Sequence, residues 1–107
     1  MENSNINKIK KLIVSRLKPL NPLKIILFGS YAYGNPNENS DIDLCVIQER
    51  VDSKINEKRR IRQLLKDINI SKDILVPSIS EYDFYKSEYG SVYMDIEKNG
   101  IVLWQNS

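Results

Sequence analysis

The chain has 107 residues, of which 41% are hydrophobic and 28% are charged, and its formal net charge is +2. This length and composition are typical of a globular protein, so we expect residues 1–107 to form a single domain. The sequence contains no histidine and one cysteine, which excludes Ser-His-Asp catalysis, histidine-ligated zinc and disulfides within the chain. The small net charge predicts no direct nucleic-acid binding.

The pattern in the first part of the chain predicts a helix followed by a buried strand. Residues 5–18 carry apolar side chains at helical spacing, with Asn5 as the expected N-cap and Pro19 after the last turn. The predicted inward positions are Ile6, Ile9, Leu12, Ile13 and Leu17. Residues 23–28 form a short apolar run that stops at Gly29, which is the pattern of a buried strand.

The next segment reads as a loop followed by a second strand. Residues 29–40 are rich in glycine, asparagine and serine, with one helical turn expected at 31–33. Residues 41–47 are mostly apolar and predict a strand. Cys45 lies inside this apolar run, so we interpret it as a small core residue and not as a nucleophile.

A second long helix and a third strand follow. Ser53 is the expected N-cap of a helix that runs to about Asp67. Its predicted inward positions are Ile55, Ile61, Leu64, Leu65 and Ile68. Residues 73–76 predict a strand that Pro77 ends.

The last part of the chain predicts helical structure and one more strand. Ser80 is the expected helix start because Asp83 follows three residues later. Residues 81–98 look helical with a break near 90–91, and residues 101–104 suit a short strand. This order of elements predicts an α/β (α+β) fold, a small mixed sheet with helices packed against it, although strand order cannot be read from the sequence.

The chain shows no membrane or export signal. No stretch approaches the roughly 18 apolar residues of a transmembrane helix, and residues 1–5 lack a basic and then apolar segment. We therefore expect a cytoplasmic protein with no membrane partner.

Two aspartates open the second predicted strand. Side chains two residues apart in a strand share a face, so Asp41 and Asp43 should project together, roughly 6.6 Å apart along the backbone. Two carboxylates on one face repel each other unless a cation lies between them. Mg²⁺ prefers such oxygen ligands together with substrate phosphates. An exposed acidic strand end is the alternative interpretation of this pair.

A glycine and a serine end the first predicted strand. Gly29 permits a sharp turn and close approach of a ligand because it has no Cβ. Ser30 supplies a hydroxyl and a backbone N–H at the start of a helical turn, where N–H groups favour anions. Gly34 would end that turn with positive φ. The pattern is neither a Walker A motif nor a dinucleotide-binding fingerprint, and a plain turn is the alternative.

Taken together, the two segments carry a resemblance to a known family. They read GSYAYG at 29–34 and SDIDL at 40–44, and this pattern resembles the nucleotidyltransferase superfamily that includes DNA polymerase beta. The likeness covers nearly the whole chain and is closest in form to the small stand-alone members, the minimal nucleotidyltransferases. It implies the nucleotidyltransferase fold. The chain departs from many relatives at Tyr31 and Tyr33, where they carry basic residues.

The resemblance also implies a third carboxylate on a neighbouring strand. Asp73 fits this position because it opens the third predicted strand. Asp67 is the competing candidate, although it falls in the last predicted helical turn, where we expect it to be solvated.

The resemblance implies a reaction and a role for each site residue. The reaction is transfer of AMP from ATP to a hydroxyl, with release of pyrophosphate. Asp41, Asp43 and Asp73 would be catalytic and would hold two Mg²⁺ ions, and Asp73 would also take the proton of the acceptor. The nucleotide-binding residues would be Gly29, Ser30 and Ser40.

The resemblance further implies a protein partner. Minimal nucleotidyltransferases are often encoded beside a helical HEPN toxin. As antitoxins they attach AMP to a tyrosine of that toxin, and this modification blocks the ribonuclease site of the toxin. We therefore expect a hetero-oligomer with such a toxin. The alternatives are a subunit that modifies a small-molecule hydroxyl, such as that of an aminoglycoside-like antibiotic, and a non-catalytic antitoxin that neutralises its partner by binding.

Two further groups of residues allow two interpretations each. A basic group within residues 54–66 indicates a solvated helix face or a partner-binding surface; its members are Lys54, Lys58, Arg59, Arg60, Arg62 and Lys66. An aromatic group within residues 82–93 fits either an exposed apolar face or part of the core; its members are Tyr82, Phe84, Tyr85, Tyr89 and Tyr93.

Overall fold

The computed structural model describes residues 2–34, 36–37 and 39–106, without the side chains of residues 2–4. The helices are α1 Glu2–Leu17, α2 Ser30–Tyr33, α3 Lys54–Leu64, α4 Ile79–Tyr85 and α5 Val92–Asn99, and a 3₁₀ turn at Lys18–Leu20 follows α1. The strands are β1 Lys24–Phe28, β2 Ile42–Ile47, β3 Lys72–Leu75 and β4 Ile101–Gln105. Across these described ranges, no helix is both long enough and apolar enough to span a membrane.

The strands form one mixed sheet in the order β3-β2-β1-β4. β1 is antiparallel to β2 and to β4, whereas β2 and β3 are parallel. A parallel pair requires a crossover connection, and α3 supplies it between β2 and β3. The predicted class, a small mixed sheet with helices packed against it, is confirmed.

One face of the sheet packs against α1 and α3. Alternate strand residues such as Ile25, Leu44 and Ile74 are fully buried on this face. The helices and the C-cap of α3 contribute four buried side chains to the same core, Ile13, Leu17, Ile61 and the C-cap Leu65. These four were predicted to face inward, and the prediction is confirmed.

The opposite face of the sheet packs against α4 and α5. Ile26 and Cys45 lie in one cluster with Tyr82 of α4 and Ile96 of α5. Cys45 is fully buried, and burial raises the pKa of its thiol to about 12. Its burial confirms the prediction that Cys45 is a core residue. The raised pKa also disfavours the thiolate, which is the nucleophilic form of cysteine.

Two helix starts differ from those predicted. α1 begins at Glu2, so Asn5 lies inside the helix and is not its N-cap. α4 has Ser78 as its N-cap, whose hydroxyl accepts a hydrogen bond from the Glu81 backbone N–H at 3.2 Å, so Ser80 lies inside the helix. Ser78 is the better cap because Glu81, three residues later, makes the sequence of a capping box.

The start of α3 was predicted correctly, but its length and one inward position were not. The Ser53 hydroxyl accepts a hydrogen bond from the Asn56 N–H at 3.3 Å, and the helix ends at Leu64 instead of near residue 67. Ile55, predicted to face inward, is 71% exposed. It lies six residues before Ile61, about 120° around the helix axis from it, and so falls outside the buried face.

This difference on α3 predicts unequal effects of two identical substitutions. Ile61→Ala should lower the free energy of unfolding by about 2–4 kcal/mol, because it leaves a cavity in a fully buried position. Ile55→Ala should change it by less than about 0.5 kcal/mol. Urea denaturation followed by circular dichroism measures both, and equal losses would contradict the packing of α3.

Candidate active site

The predicted site aspartates lie at one end of the sheet, where β2 and β3 begin. Asp43 of β2 is the register partner of Asp73 in the parallel strand β3. Asp41 lies just before β2, and the neighbouring Ile42 N–H donates to the Ser71 carbonyl at 2.9 Å. Strand pairing therefore begins immediately after Asp41 and holds the starts of the two strands side by side.

The aspartates belong to the face of the sheet opposite α1 and α3. Ile42 and Leu44, which flank Asp43, are buried in the core formed with those helices. Since side chains alternate along a strand, Asp43 projects to the other face, as predicted. Asp73 shares that face because it is in register with Asp43 and because Ile74 is buried in the same core.

The carboxylates influence one another electrostatically. The pKa of Asp43 is raised first by burial, then by the negative charge of Asp73 and then by that of Asp41. Among the described residues, the ion pairs and side-chain hydrogen bonds involve none of these three carboxylates. The negative charge of the cluster is therefore not neutralised by the part of the chain that the structure describes.

Gly29 lies directly against the carboxylate of Asp43. A Cβ built at this position would overlap a carboxylate oxygen of Asp43 and would lie 2.9 Å from its Cγ. The backbone of Gly29, with φ of 75° and ψ of −156°, also lies in a region that is almost restricted to glycine. Both the space and the backbone angle at this position therefore require glycine.

Ser30 is the first residue of helix α2 and directly follows Gly29. The Gly29 carbonyl accepts hydrogen bonds from the Ala32 and Tyr33 N–H groups, both at 3.0 Å. Gly34 ends the helix with φ of 86°, and its N–H donates to the Ser30 carbonyl at 3.1 Å. The predicted turn after Ser30 and the positive φ of Gly34 are confirmed.

Ser40 lies in the loop that leads into Asp41. Its hydroxyl accepts a hydrogen bond from the Asn37 backbone N–H at 2.9 Å, and its own N–H donates to the Asn37 carbonyl at 3.0 Å. The position is next to the aspartates, as predicted. The hydrogen bonds indicate that Ser40 shapes the turn before the acidic strand.

The sequence interpretation missed a contact between α2 and α5. The Tyr33 hydroxyl donates a hydrogen bond to Asp95 Oδ2 at 2.8 Å, and the Asn99 side-chain amide donates to Asp95 Oδ1 at 2.8 Å. The pKa of Tyr33 is raised first by burial, then by the hydrogen bond to Asp95 and, more weakly, by the negative charge of Asp43. No local pattern indicates this contact, because its two residues are 62 positions apart.

The competing candidate, Asp67, lies outside the cluster. The two Arg16 terminal nitrogens donate to its carboxylate at 2.8 and 2.6 Å. This arrangement lowers the pKa of Asp67, chiefly through the hydrogen bond from Arg16. Asp67 is thus at the surface, as expected, but in a bidentate ion pair on the side of α1 and α3.

The basic and aromatic groups have different outcomes. The basic residues of α3 are largely exposed, and Lys54 forms an ion pair with Glu81 at 2.6 Å, which supports a solvated helix face. The aromatic group is divided: Tyr82 is a core residue, whereas Phe84 is 64% and Tyr89 is 95% exposed.

The carboxylates suit a hard divalent cation in an open site. Carboxylate oxygens are the protein ligands that Mg²⁺ prefers, and this ion retains waters and substrate phosphates in its shell. Within the described ranges, no three histidine, cysteine, aspartate or glutamate side chains close around one point. The donor set therefore fits an ion that a bound phosphate helps to hold.

Two clefts of about 970 and 540 Å³ are lined by other residues and do not include the aspartates.

The charge cluster predicts that a site substitution stabilises the fold. The pKa of Asp43 is raised in the fold, so its ionised form opposes folding and Asp43→Asn should increase the free energy of unfolding at pH 7. The gain should shrink as the pH falls through the raised pKa, and it should vanish below about pH 4, where the carboxyl is protonated in both states.

Urea denaturation at several pH values measures this gain, with Asp67→Asn as the control. The control removes an ion-paired carboxylate and should give no increase. A loss of stability in Asp43→Asn at pH 7 would contradict the description of the cluster.

The two glycines that cap α2 predict a second contrast. Gly34→Ala should cost only backbone strain, about 1–2 kcal/mol, because its φ is +86° and the space around it is open. Gly29→Ala should cost at least about 1 kcal/mol more, because its Cβ also overlaps Asp43. Denaturation of both variants tests this, and equal losses would show that Gly29 does not pack against the carboxylate.

Known proteins are similar to this chain in sequence and in fold. The sequence model of the nucleotidyltransferase domain family matches residues 6–103. A Methanocaldococcus jannaschii protein with the provisional name of protein adenylyltransferase is 31% identical over 79 residues, which are 73% of this chain and 75% of the relative.

Solved structures show the same fold at lower sequence identity. A chain in a crystal structure of a toxin–antitoxin with AMP-PNP has a TM-score of 0.67 and 23% identity, and the match covers 92% of this chain and 74% of that one. A chain in a structure of the tri-AMPylated Shewanella oneidensis HEPN toxin with its MNT antitoxin has a TM-score of 0.56 and 22% identity, over 99% and 74%. Because the family model matches all but the ends of the sequence, this chain belongs to the nucleotidyltransferase domain family.

Proposed function

We propose that this chain is a Mg²⁺-dependent adenylyltransferase that transfers AMP from ATP to a tyrosine hydroxyl of a HEPN-type toxin and so acts as its antitoxin. The observation that carries the proposal is the cluster of Asp41, Asp43 and Asp73, which lacks a neutralising partner among the described residues and lies against Gly29. Such a cluster is costly without a bound cation. A cytoplasmic location, where ATP is available, is part of the proposal.

Each residue of the cluster has a role in this proposal. Asp41, Asp43 and Asp73 would hold Mg²⁺, which when bound neutralises phosphate charge and lowers the pKa of an oxygen it binds. Gly29 has no side chain, so the Asp43 carboxylate lies directly against its backbone. Ser30, at the start of α2, and Ser40, in the loop before Asp41, would contact the nucleotide.

The proposed reaction needs only one proton acceptor from the chain. The tyrosine oxygen attacks the α-phosphorus of ATP, the bond from that phosphorus to the β-phosphate oxygen breaks, and pyrophosphate leaves. Asp73, which is exposed at the edge of the cluster, would accept the tyrosine proton. The chain has no histidine, so a carboxylate is the natural choice for this step.

The relatives support a protein acceptor and a toxin partner. The Methanocaldococcus jannaschii relative is provisionally named a protein adenylyltransferase, and the structural neighbours come from toxin–antitoxin complexes, one with an AMPylated HEPN toxin. The aspartates also lie outside both described clefts. An acceptor presented by a second protein would cover such an open site.

The proposal predicts loss of transfer in a double variant that remains folded. Asp41→Asn with Asp43→Asn should lower AMP transfer roughly a hundredfold or more, because the metal-binding carboxylates are gone. Labelled ATP, Mg²⁺ and the co-expressed HEPN-type protein give the readout, and mass spectrometry locates the modified residue. Asp67→Asn is the matched control and should retain the wild-type rate.

Other outcomes of the same assay would favour other functions. Label on a small hydroxylated compound would replace the protein acceptor with a small-molecule acceptor. A stable complex with the HEPN-type protein, without label, would indicate neutralisation by binding alone. Transfer that persists in the double variant or in EDTA would overturn the proposed chemistry.

A further inference from the structure

A large groove lies between the outer side of α1 and the last strand of the sheet. Its volume is about 970 Å³. The apolar part of its lining comes from both elements and from the turn after α1, and comprises Val14, Pro19, Ile101, Val102 and Leu103. The acidic cluster lies on the other face of the sheet, so the groove is not part of the proposed active site.

The strand that forms one wall of the groove is an edge strand. β4 is the last strand in the sheet order and pairs with β1. On its other side, no strand among the described residues lies next to it. Val102 in its middle is 48% exposed. An exposed edge of this kind offers backbone hydrogen-bonding groups to an added strand.

The helix that forms the other wall is basic. Lys10 and Lys11 of α1 and Lys18 of the turn after it line the groove with Val14. Val14 lies four residues after Lys10, three after Lys11 and four before Lys18, so these side chains lie along one side. Within the described part of the chain, none of these lysines belongs to an ion pair. The groove therefore combines an apolar floor with positive charge along one rim.

We propose that this groove binds an extended acidic segment of the partner protein, which adds a fifth strand beside β4. The exposed strand edge favours an extended segment, and the lysines favour carboxylates on the side of that segment that faces α1. A second copy of this chain fits less well, because pairing β4 with β4 would bring two lysine rims together. The inference deepens the proposed function by naming how the toxin partner is held, and it rests on that proposal.

The two faces of the sheet make recognition separable from chemistry. The groove lies beside α1, on the face of the sheet that packs against α1 and α3. Ile101 belongs to this face because its register partner, Leu27, is buried in the core with α1. Asp43 and Asp73 project from the opposite face. Loss of positive charge in the groove should therefore weaken the complex and leave the nucleotide site intact.

Charge reversal tests the groove against a matched basic surface. The triple variant K10E/K11E/K18E should bind the co-expressed HEPN-type protein at least about tenfold more weakly, with weaker salt dependence, because like charges would face the acidic segment. The control K58E/R59E/R62E makes the same change of charge on α3, where Arg59 and Arg62 are exposed, and should bind like wild type. Titration calorimetry or sedimentation measures both.

A photo-crosslinking residue in place of Ser15, an exposed residue of α1 that lines the groove, identifies the occupant. Cross-linking to a partner peptide rich in aspartate and glutamate would support the proposal. Cross-linking to a second copy of this chain, or to a partner peptide without acidic residues, would overturn it.

The outcomes also separate this inference from the proposed function. If the wild-type chain and both triple variants bind the HEPN-type protein equally, the groove is not the binding surface, and the adenylyltransferase proposal is unaffected. If the wild-type chain forms no complex with the HEPN-type protein, the toxin partner itself is wrong, and this inference falls with it. AMP transfer by the wild-type chain to another acceptor would still be detected in the labelled-ATP assay.

Discussion

Mutual repulsion between like charges is the constraint on which the site depends. The register of β2 with β3 puts Asp43 beside Asp73, and Asp41 lies two residues before Asp43. Hydrogen bonds between the strands fix the backbones of Asp43 and Asp73 side by side, so these two carboxylates stay on neighbouring strands as long as the sheet is paired. The partial burial of Asp43 increases the cost, since a charge in a less polar environment is less well screened. A bound cation is the simplest way to offset that cost.

The topology of the sheet brings three chain segments to the same end of the sheet. Because α3 crosses from β2 to β3, these strands are parallel and both start at this end. β1 runs antiparallel to β2, so its last residues, with Gly29 directly after them, arrive where β2 begins. The turn into α2 and the two acidic strand starts therefore meet without any long loop. On this face, the core residues Cys45 and Ile47 follow Asp43 at alternate positions and anchor it against α4 and α5.

Local patterns predicted most of the elements and the candidate site, and the errors have physical causes. Alternation in β2 was sufficient to assign opposite faces to Ile42 and Asp43. In contrast, the Ser78 cap was missed because Ser80 offered a similar but weaker pattern, and Ile55 was misassigned because its apolar character does not reveal its angle around α3. The Tyr33–Asp95 hydrogen bond and the strand order connect distant residues, and neither leaves a signal in a local window of a single sequence.

The net charge of +2 conceals two local fields of opposite sign. Acidic side chains lie at Asp41, Asp43 and Asp73, whereas lysines of α1 and of the turn after it line a groove beside the edge strand β4. A sum over the chain predicts neither, because positive and negative residues cancel in it while remaining apart in space. The acidic cluster attracts a cation and repels an acidic peptide, and the groove does the opposite. In the two proposals, a metal–nucleotide complex and an acidic protein segment would therefore bind different surfaces of one small sheet.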